Sequence, residues 1–449
     1  MQILFDRGTI VIKNLPPGLE PENCAWDNRT NNWRARGMYY SDVIRWLDFK
    51  EFSYKDQVPR FIKLNAKLNF DYNLHYYQKE GLNAWIDAKF RGCVILPTGS
   101  GKSFLAIKAI QKVNASTLII LPTLDLMNQW YDLVSEVFNQ EIGILGGGYH
   151  QIEDITVTTY DSALNHADVY GDRFSLLIFD EVHHLPAEHY SQIAEMCIAP
   201  HRLGLTATYY RMDGYHGKLD RLIGPVVYKK DIHDLKGSHL SDFEIERIKV
   251  DLTPREKLEY DKNELIYEDF IKETGYKFHG PDLEKFLAEV NLKPNARKAL
   301  LAKFKMKTII LNAARKLDVL ESLLKLHAKD RIIIFTENNE LVYSISCEFL
   351  IPALTHQTKT IERKQILKKF RNGEYSVLVT SKVLNEGVDV PEANVAIILS
   401  GSSSPREYLQ RLGRILRKRE DKQAVLYEIV TKGTREVQVS YRRRKSHAS

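Results

Sequence analysis

The sequence predicts an α/β protein with two tandem parallel-sheet domains, an N-terminal α+β domain and a helical insertion. Apolar runs of strand length alternate with helical stretches in two separate series, and a stretch without strand candidates lies between them. Strands that are apolar on both faces and are separated by helices are typical of parallel sheets. With 449 residues, the chain is long enough for about two or three domains.

Residues 1–70 form the predicted N-terminal domain, in which aromatic and basic residues are mixed. Examples are Trp26-Asp27-Asn28-Arg29 and Trp33-Arg34-Ala35-Arg36. Aromatic side chains in such a segment are more often core residues than platforms on which bases stack, and both interpretations stay open.

The two α/β domains are predicted at residues 71–235 and 236–449. The apolar strand candidates of the first are Cys93–Leu96, Leu118–Leu121, Ile155–Thr159, Leu176–Phe179 and Leu203–Leu205. Those of the second are Arg331–Phe335, Val377–Thr380, Ala396–Leu399 and Ala424–Tyr427. Only the first series carries a phosphate-binding motif, so the second domain can close over the nucleotide of the first.

A helical insertion is predicted at about residues 250–310, where apolar residues recur at helical spacing. From Lys285 to Lys316 there are nine Lys and Arg residues against one acidic residue, Glu289. A nucleic-acid contact surface and a solvated basic face are equally open there. The basic segment Arg442–Lys445 is predicted to be disordered, and it could also contact phosphate.

Composition excludes several classes of protein. The four cysteines are scattered without a Cys-x-x-Cys pair, so neither a zinc site nor a disulfide framework is indicated. No apolar run approaches the ~20 residues that span a bilayer, and a signal-peptide pattern is absent. We therefore expect a cytoplasmic protein, and the net charge of +6 permits a polyanionic partner.

The segment Leu96-Pro97-Thr98-Gly99-Ser100-Gly101-Lys102-Ser103 connects a strand candidate to a helical stretch, as a phosphate-binding loop does. Thr98, Gly99 and Gly101 belong to a backbone that can fold around an anion and direct N–H groups toward phosphate oxygens. Lys102 would neutralise charge, and the Ser103 hydroxyl would hold magnesium. The loop predicts a nucleoside triphosphatase.

Asp180-Glu181-Val182-His183-His184 follows an apolar strand, at the end where α/β sheets place ligand groups. We expect Asp180 to hold magnesium and Glu181 to orient and deprotonate the attacking water. His183 is a candidate link between the nucleotide site and a polymer site.

Two further motifs fit this chemistry. Thr206 and Thr208 end another strand with hydroxyls that could relay hydrogen bonds from His183 to the second domain. In the second domain Gln410, Arg414 and Arg417 stand at helical spacing on one face. Guanidinium groups on such a face can stabilise the transition-state charge at the γ-phosphate.

The order of these motifs is that of superfamily 2 helicases, and the chain resembles the XPB family of DNA-repair helicases, most closely its compact archaeal members. Leu96 replaces the first glycine of the general phosphate-loop pattern, and Pro-Thr-Gly-Ser-Gly-Lys-Ser is the form typical of helicases. The resemblance covers nearly the whole chain and implies two RecA-like domains, a damage-recognition domain around Trp26 to Tyr40 and a thumb in the helical insertion. It rests on Leu74–Glu80, the phosphate loop, Leu121–Thr123, Thr158–Tyr160, Asp180–His183, Thr206–Thr208, Ile334–Thr336, Val379–Ser381, Glu386–Pro391 and Gln410–Arg417.

The resemblance implies roles for further residues. Gln78 would read adenine, because its amide can bond both the donor and the acceptor edge of the base, and Asp389 would contact ribose or assist closure of the domains. Five residues would grip the sugar-phosphate backbone of DNA without sequence specificity: Pro122, Thr123, Thr159, Thr336 and Thr380.

One departure from the family pattern concerns its Arg-Glu-Asp element, which here is Arg211-Met212-Asp213. Arg211 and Asp213 remain candidate DNA contacts, but the missing central carboxylate argues against the domain-reorienting or strand-separating role that the element has in the family.

The preferred hypothesis is an ATP- and magnesium-dependent DNA helicase or translocase acting in nucleotide excision repair, transcription-coupled DNA opening or both. Movement from 3′ to 5′, a partner nuclease and a location at the nucleoid are implied by the family. The alternative is a DNA-stimulated ATPase that mainly loads a partner or acts as a conformational switch, with little unwinding of its own.

Overall fold

A computed structural model describes residues 1–64, 67–69, 72–97, 99–209, 214–230, 243–275, 293–381, 393–400 and 424–445. These residues fall into two compact units. The first comprises the described residues up to 230, and the second comprises those from 243 onward.

The N-terminal domain is a five-stranded sheet covered by one helix. Its strands follow the order β3-β4-β2-β1-β5 and are antiparallel except for the β1–β5 pair. Val43 and Leu47, four residues apart, turn one face of the helix onto Ile3, Ile10 and Ile12 of the sheet. The elements are β1 (Gln2–Asp6), β2 (Thr9–Lys13), β3 (Cys24–Asp27), β4 (Asn32–Arg36), α1 (Tyr40–Phe49) and β5 (Lys55–Asp56).

This domain packs tightly on the α/β domain that follows it in the same unit. A Cβ atom on Gly37 would lie 2.1 Å from the carbonyl oxygen of Met196, so only glycine fits there. Arg60 donates from Nε to Asp172 Oδ2 at 2.7 Å, and Arg36 pairs with Glu195 at 2.7 Å. The two domains therefore approach each other closely through their backbones, and ion pairs lie around this contact.

An eight-stranded sheet forms the first α/β domain, in the order β13-β6-β12-β11-β7-β10-β8-β9. Every pair is parallel except the β8–β9 hairpin. The strands are β6 (Arg91–Ile95), β7 (Thr117–Leu121), β8 (Ile142–Gly146), β9 (Tyr149–Gln151), β10 (Ile155–Thr159), β11 (Leu176–Asp180), β12 (His201–Thr206) and β13 (Val226–Lys229). The helices are α2 (Tyr76–Asp87), α3 (Lys102–Val113), α4 (Leu124–Val137), α5 (Tyr160–Tyr170), α6 (Ser191–Met196) and α7 (Lys218–Leu222).

The second α/β domain contains a six-stranded, fully parallel sheet in the order β14-β19-β18-β15-β17-β16. Its strands are β14 (Phe243–Val250), β15 (Ile332–Phe335), β16 (Ala353–Leu354), β17 (Val377–Thr380), β18 (Val395–Ile398) and β19 (Ala424–Thr431). The helices that pack with it are α10 (Ala314–Leu326), α11 (Asn339–Phe349), α12 (Thr360–Asn372) and α13 (Arg435–Lys445).

Between β14 and α10 the described chain forms two long helices, α8 (Pro254–Thr274) and α9 (Pro294–Leu311). Thr253 and Glu256 cap the start of α8 reciprocally, with Pro254 in its first turn, and Gly275 ends it with a φ of 68°. Both helices carry many charged residues. Among the described helices, none is long and apolar enough to cross a membrane.

Candidate functional site

The phosphate-binding loop begins where β6 ends. Gly99 and Gly101 have φ values of 81° and 75°, a left-handed conformation that glycine adopts without strain. Ser100 is buried and donates from Oγ to the Pro97 carbonyl oxygen at 2.6 Å. Because α3 starts at Lys102, the N–H groups of its first turn lie beside the loop, and that of Phe104 donates to the Gly101 carbonyl oxygen at 3.1 Å.

Lys102 folds back over this loop. Its ammonium donates to the carbonyl oxygens of Leu96 and Pro97, both at 3.2 Å. The next residue, Ser103, is half-buried in the first turn of the helix. Charged phosphate oxygens bind an ammonium group more strongly than neutral carbonyl groups do, so Lys102 can exchange these two carbonyl oxygens for phosphate oxygens at little cost.

Gln78 contacts the loop itself. Its Oε1 accepts from the His75 backbone N–H at 2.8 Å, while Nε2 donates to the carbonyl oxygens of Ser100 at 2.7 Å and Gly101 at 3.2 Å. The Tyr77 hydroxyl also donates to the Ser100 carbonyl, at 3.1 Å. Both amide donors of Gln78 are thus occupied by the loop, so the predicted two-edged contact with adenine requires one of these bonds to break.

Asp180 and Glu181 lie at the C-terminal end of β11, one strand away from β12 and two from β6. Asp180 Oδ1 accepts from the Glu181 backbone N–H at 3.0 Å, and Oδ2 accepts from Trp130 Nε1 at 3.1 Å. The backbone of Glu181 is left-handed, with a φ of 49°. This turn directs both carboxylates to the same edge of the sheet as the phosphate-binding loop.

Burial raises the pKa of Asp180 to about 6, and the neighbouring Glu181 charge adds to the increase. Lys102 and the hydrogen bonds from Trp130 and the Glu181 N–H act in the opposite direction. The loop lysine and the acidic pair follow the C-terminal ends of β6 and β11 at one edge of the sheet, where the positive charge of Lys102 favours the ionised form of Asp180.

His183, Thr206 and Glu181 form a buried hydrogen-bonded cluster. His183 Nδ1 lies 2.9 Å from Thr206 Oγ1, which in turn lies 3.1 Å from Glu181 Oε2. The backbone N–H of Thr208 donates to Thr206 Oγ1 at 3.1 Å. The Thr206 hydroxyl therefore connects three groups: the His183 ring, the carboxylate of Glu181, which is the expected catalytic base, and the backbone of the Thr-Ala-Thr turn.

The oxygen donors of this site fit magnesium, which prefers carboxylate, phosphate and water oxygens. Each carboxylate oxygen of Asp180 accepts a hydrogen bond and has a second lone pair, and the Ser103 hydroxyl is the other candidate ligand. Within the described part of the chain, no group of three or more His, Cys, Asp or Glu side chains could hold a metal. Phosphate and water oxygens would complete a magnesium coordination that includes Asp180 and Ser103.

Comparison with known proteins identifies three consecutive domains. The family described as "Xeroderma pigmentosum group B helicase damage recognition domain" matches residues 3–58. "Type III restriction enzyme, res subunit" matches residues 71–211, and "Helicase conserved C-terminal domain" matches residues 315–419.

Full-length similarity decides the family. The chain is 41% identical to the "DNA 3'-5' translocase XPB2" of Sulfurisphaera tokodaii, over 98% of this chain and 99% of that protein. The chain belongs to the XPB family. It is also 30% identical to the "DNA 3'-5' helicase XPB" of Kineococcus radiotolerans, over 81% of this chain and 60% of that longer protein.

The solved helicase domain of Pyrococcus furiosus Hef shares the fold, with a TM-score of 0.54 and 20% identity over 81% of this XPB-family chain and 97% of the Hef chain. This confirms the fold class predicted from the sequence, an α/β protein with tandem RecA-like domains.

The threonines that the XPB resemblance assigned to DNA contact occupy two kinds of position. Thr123 and Thr159 cap α4 and α5, each accepting from a backbone N–H of the first turn at 3.2 Å. Thr336 and Thr380 are fully buried, and their hydroxyls donate to the Asn338 and Ser381 carbonyl oxygens at 2.9 and 3.4 Å. Only the first pair, with Pro122, stands at helix starts that suit a phosphate.

Several predicted site residues lie outside the described residues: Thr98, Arg211, Asp213, Asp389, Gln410, Arg414 and Arg417. Met212 lies there as well. The same edge of the first domain holds three aromatic residues that sequence reasoning missed, namely Tyr77, Trp130 and Tyr160. Tyr77 and Tyr160 stand within the motifs Leu74–Glu80 and Thr158–Tyr160, but no role was predicted for them or for Trp130, because aromatic residues at helical spacing normally indicate core.

Proposed function

We propose that this XPB-family chain is an ATP-dependent DNA helicase or translocase that moves 3′ to 5′ on single-stranded or forked DNA. The observation that carries the proposal is the joint placement of Lys102, Asp180 and Glu181 at one sheet edge, within a chain related over its full length to a DNA translocase. Nucleotide excision repair, transcription-coupled opening of DNA, or both, are the processes that the family relationship favours.

The chain's own residues divide the work of hydrolysis. Lys102 leaves the Leu96 and Pro97 carbonyl groups for phosphate oxygens, and Glu181 accepts the proton of the attacking water. Magnesium, held by Ser103 and Asp180, would neutralise phosphate charge and orient the leaving group. Thr206 keeps the Glu181 carboxylate in place through its 3.1 Å bond.

Residues of the second domain complete the proposed site. Arg414 and Arg417 would supply positive charge to the γ-phosphate, while Gln410 and Asp389 would contact the nucleotide. A site composed of residues from two domains is active only when they close, so hydrolysis can be coupled to movement along a strand.

Contacts to DNA are proposed at Pro122, Thr123 and Thr159, whose helix starts present N–H groups to phosphate. The proposal extends to Arg211, Asp213, Thr336 and Thr380, and the last two need a side-chain rearrangement to reach a strand. On the basis of the family resemblance, the proposal also includes a partner nuclease and a location at the nucleoid.

The proposal is tested by ATP turnover with and without single-stranded DNA. We expect DNA to stimulate turnover, and Lys102→Ala and Arg414→Ala to abolish the stimulated rate. Lys112→Ala, an exposed lysine of the same helix as Lys102, is the matched control and should retain it. An ATP turnover rate that DNA does not change, or that both substitutions leave undiminished, would contradict the motor mechanism.

A forked-duplex assay separates a helicase from a loading or switching module. We expect the purified chain to separate strands in the presence of ATP. Hydrolysis on DNA without strand separation, restored only when a nuclease partner is added, favours the alternative.

A further inference from the structure

Two buried aromatic side chains hold the Asp180–Glu181 dipeptide from neighbouring helices. Trp130 of α4 donates from Nε1 to Asp180 Oδ2 at 3.1 Å. Tyr160 of α5 donates from its hydroxyl to the carbonyl oxygens of Asp180 at 3.1 Å and Glu181 at 3.4 Å. Only 3% of Trp130 and 2% of Tyr160 is exposed, so water does not compete for these bonds.

These contacts fix both the carboxylate and the turn that carries it. Asp180 accepts from Trp130 on one oxygen and from the Glu181 N–H on the other, and donors on opposite oxygens oppose rotation of the carboxylate plane. Tyr160 bonds both carbonyl groups of the dipeptide, in which Glu181 has a left-handed φ of 49°. The orientation of the Asp180 carboxylate, and so the direction of the lone pairs that it would offer to a metal, is therefore fixed.

Each of these helices starts at a proposed DNA contact. α4 begins directly after Thr123 and carries Trp130 two turns later. α5 begins directly after Thr159, with Tyr160 as its first residue. A shift of either helix start on a DNA strand would move an aromatic donor relative to the acidic pair.

We propose that Trp130 and Tyr160 are positioning residues through which α4 and α5 orient Asp180 and Glu181 for magnesium and make turnover respond to DNA. The metal part of this proposal, the orientation of Asp180 and Glu181 for magnesium, is argued from the geometry of the first domain alone. The DNA part rests on the proposed function.

The metal part is tested by removing single hydrogen bonds. Trp130→Phe removes the indole donor and keeps a ring. Trp85→Phe is the matched control, because buried Trp85 donates to the Arg202 carbonyl at 2.9 Å, away from the acidic pair. Manganese affinity in the presence of ADP, measured by electron paramagnetic resonance without turnover, should fall roughly tenfold or more in Trp130→Phe and stay within about twofold of wild type in the control.

The DNA part is tested with Tyr160→Phe against Tyr190→Phe, whose hydroxyl donates to Asp161 Oδ1 at 2.6 Å. The ratio of kcat with saturating single-stranded DNA to kcat without it should fall about tenfold in Tyr160→Phe, with the Kd for DNA within about twofold of wild type. A purely structural role would instead lower thermal stability in variant and control alike.

The outcomes distinguish this proposal from the proposed function. Normal DNA stimulation in wild type, with both aromatic variants behaving like their controls, overturns the positioning role alone. If DNA does not stimulate ATP turnover by the wild-type chain, the proposed function and the DNA part of this proposal are both wrong. The manganese measurement still tests the metal part in that case.

Discussion

At the scale of single residues, Glu181 combines a strained backbone with a buried carboxylate. Left-handed φ values are uncommon outside glycine and cost about 1–3 kcal/mol, so they persist where the surroundings hold them. Here the Tyr160 hydroxyl and the Thr206 side chain supply that support. The strain places the carboxylate of Glu181 toward the cluster with His183.

Glu181→Gln should lower kcat for ATP by about 10²–10⁴-fold, because an amide cannot accept the proton of the attacking water. The KM for ATP should change little, since the substitution keeps the size of the side chain. Steady-state kinetics checks both values. Glu188→Gln, an exposed neighbour, is the control, and equal kcat values in the two variants would remove Glu181 from the chemistry.

Thr206→Val should lower the DNA-stimulated rate about tenfold, because at nearly constant volume it removes the hydroxyl that bonds both His183 Nδ1 and Glu181 Oε2, two atoms that lie 3.3 Å apart. Thr158→Val also removes a buried hydroxyl bond, to the Leu145 carbonyl, and is the matched control. The measurement is turnover against DNA concentration. The coupling role is wrong if both valine variants respond to DNA as wild type does.

Sequence reasoning found those site residues that form compact motifs. Lys102, Asp180 and Glu181 stand in short patterns with a chemical reason for each residue type. Trp130 and Tyr160 were missed, because an aromatic residue that donates to a carboxylate, as Trp130 does, or to backbone carbonyl groups, as Tyr160 does, looks the same in sequence as one that fills a core. Gln78 was found, but its bonds to the loop depend on tertiary contact.

At the scale of elements, strands buried on both faces were predictable from their apolar runs, as Leu176–Phe179 shows. β14 was missed because its alternation changes phase at Arg247–Ile248, so no continuous period of two extends through Phe243–Val250. Arg247 there donates to Ser440 at 2.8 Å, a contact that no local pattern reveals. Tertiary pairing, with all eight residues of β14 in register with β19, makes this strand.

Gly37→Ala should detach the N-terminal domain from the first α/β domain, because the added Cβ would lie 2.1 Å from the Met196 carbonyl oxygen. Limited proteolysis should then release residues 1–58 or so at lower protease concentration than in wild type. Gly217→Ala is the control, since a Cβ there meets nothing within 4 Å. Equal protection of the two variants would contradict the tight docking.

The exposed basic side chains of α9 should contribute to DNA affinity through phosphate contacts. Replacing Arg297, Lys298 and Lys305 together by alanine should reduce the slope of log K against log salt by about 2, since each single-strand contact contributes ~0.7. Fluorescence anisotropy at several salt concentrations gives the slope. The control replaces the exposed lysines 359, 364 and 368, and equal slopes in the two variants would indicate a merely solvated face.

At the scale of the whole molecule, the proposed motor divides its chemistry between two domains. The first domain holds the loop lysine, the acidic pair and two helix starts suited to phosphate, and the second is proposed to supply Arg414 and Arg417. The arginine spacing and the order of the motifs were available from the sequence. The support that Thr206, Trp130 and Tyr160 give to the acidic pair became visible only in three dimensions.

The measurement that tests the central claim most directly is directional displacement of streptavidin from biotinylated single-stranded DNA. We expect ATP-dependent displacement from the 5′ end, where a 3′ to 5′ motor arrives, and none with Lys102→Ala. Displacement from the 3′ end alone, or equal and ATP-independent loss from both ends, would contradict it.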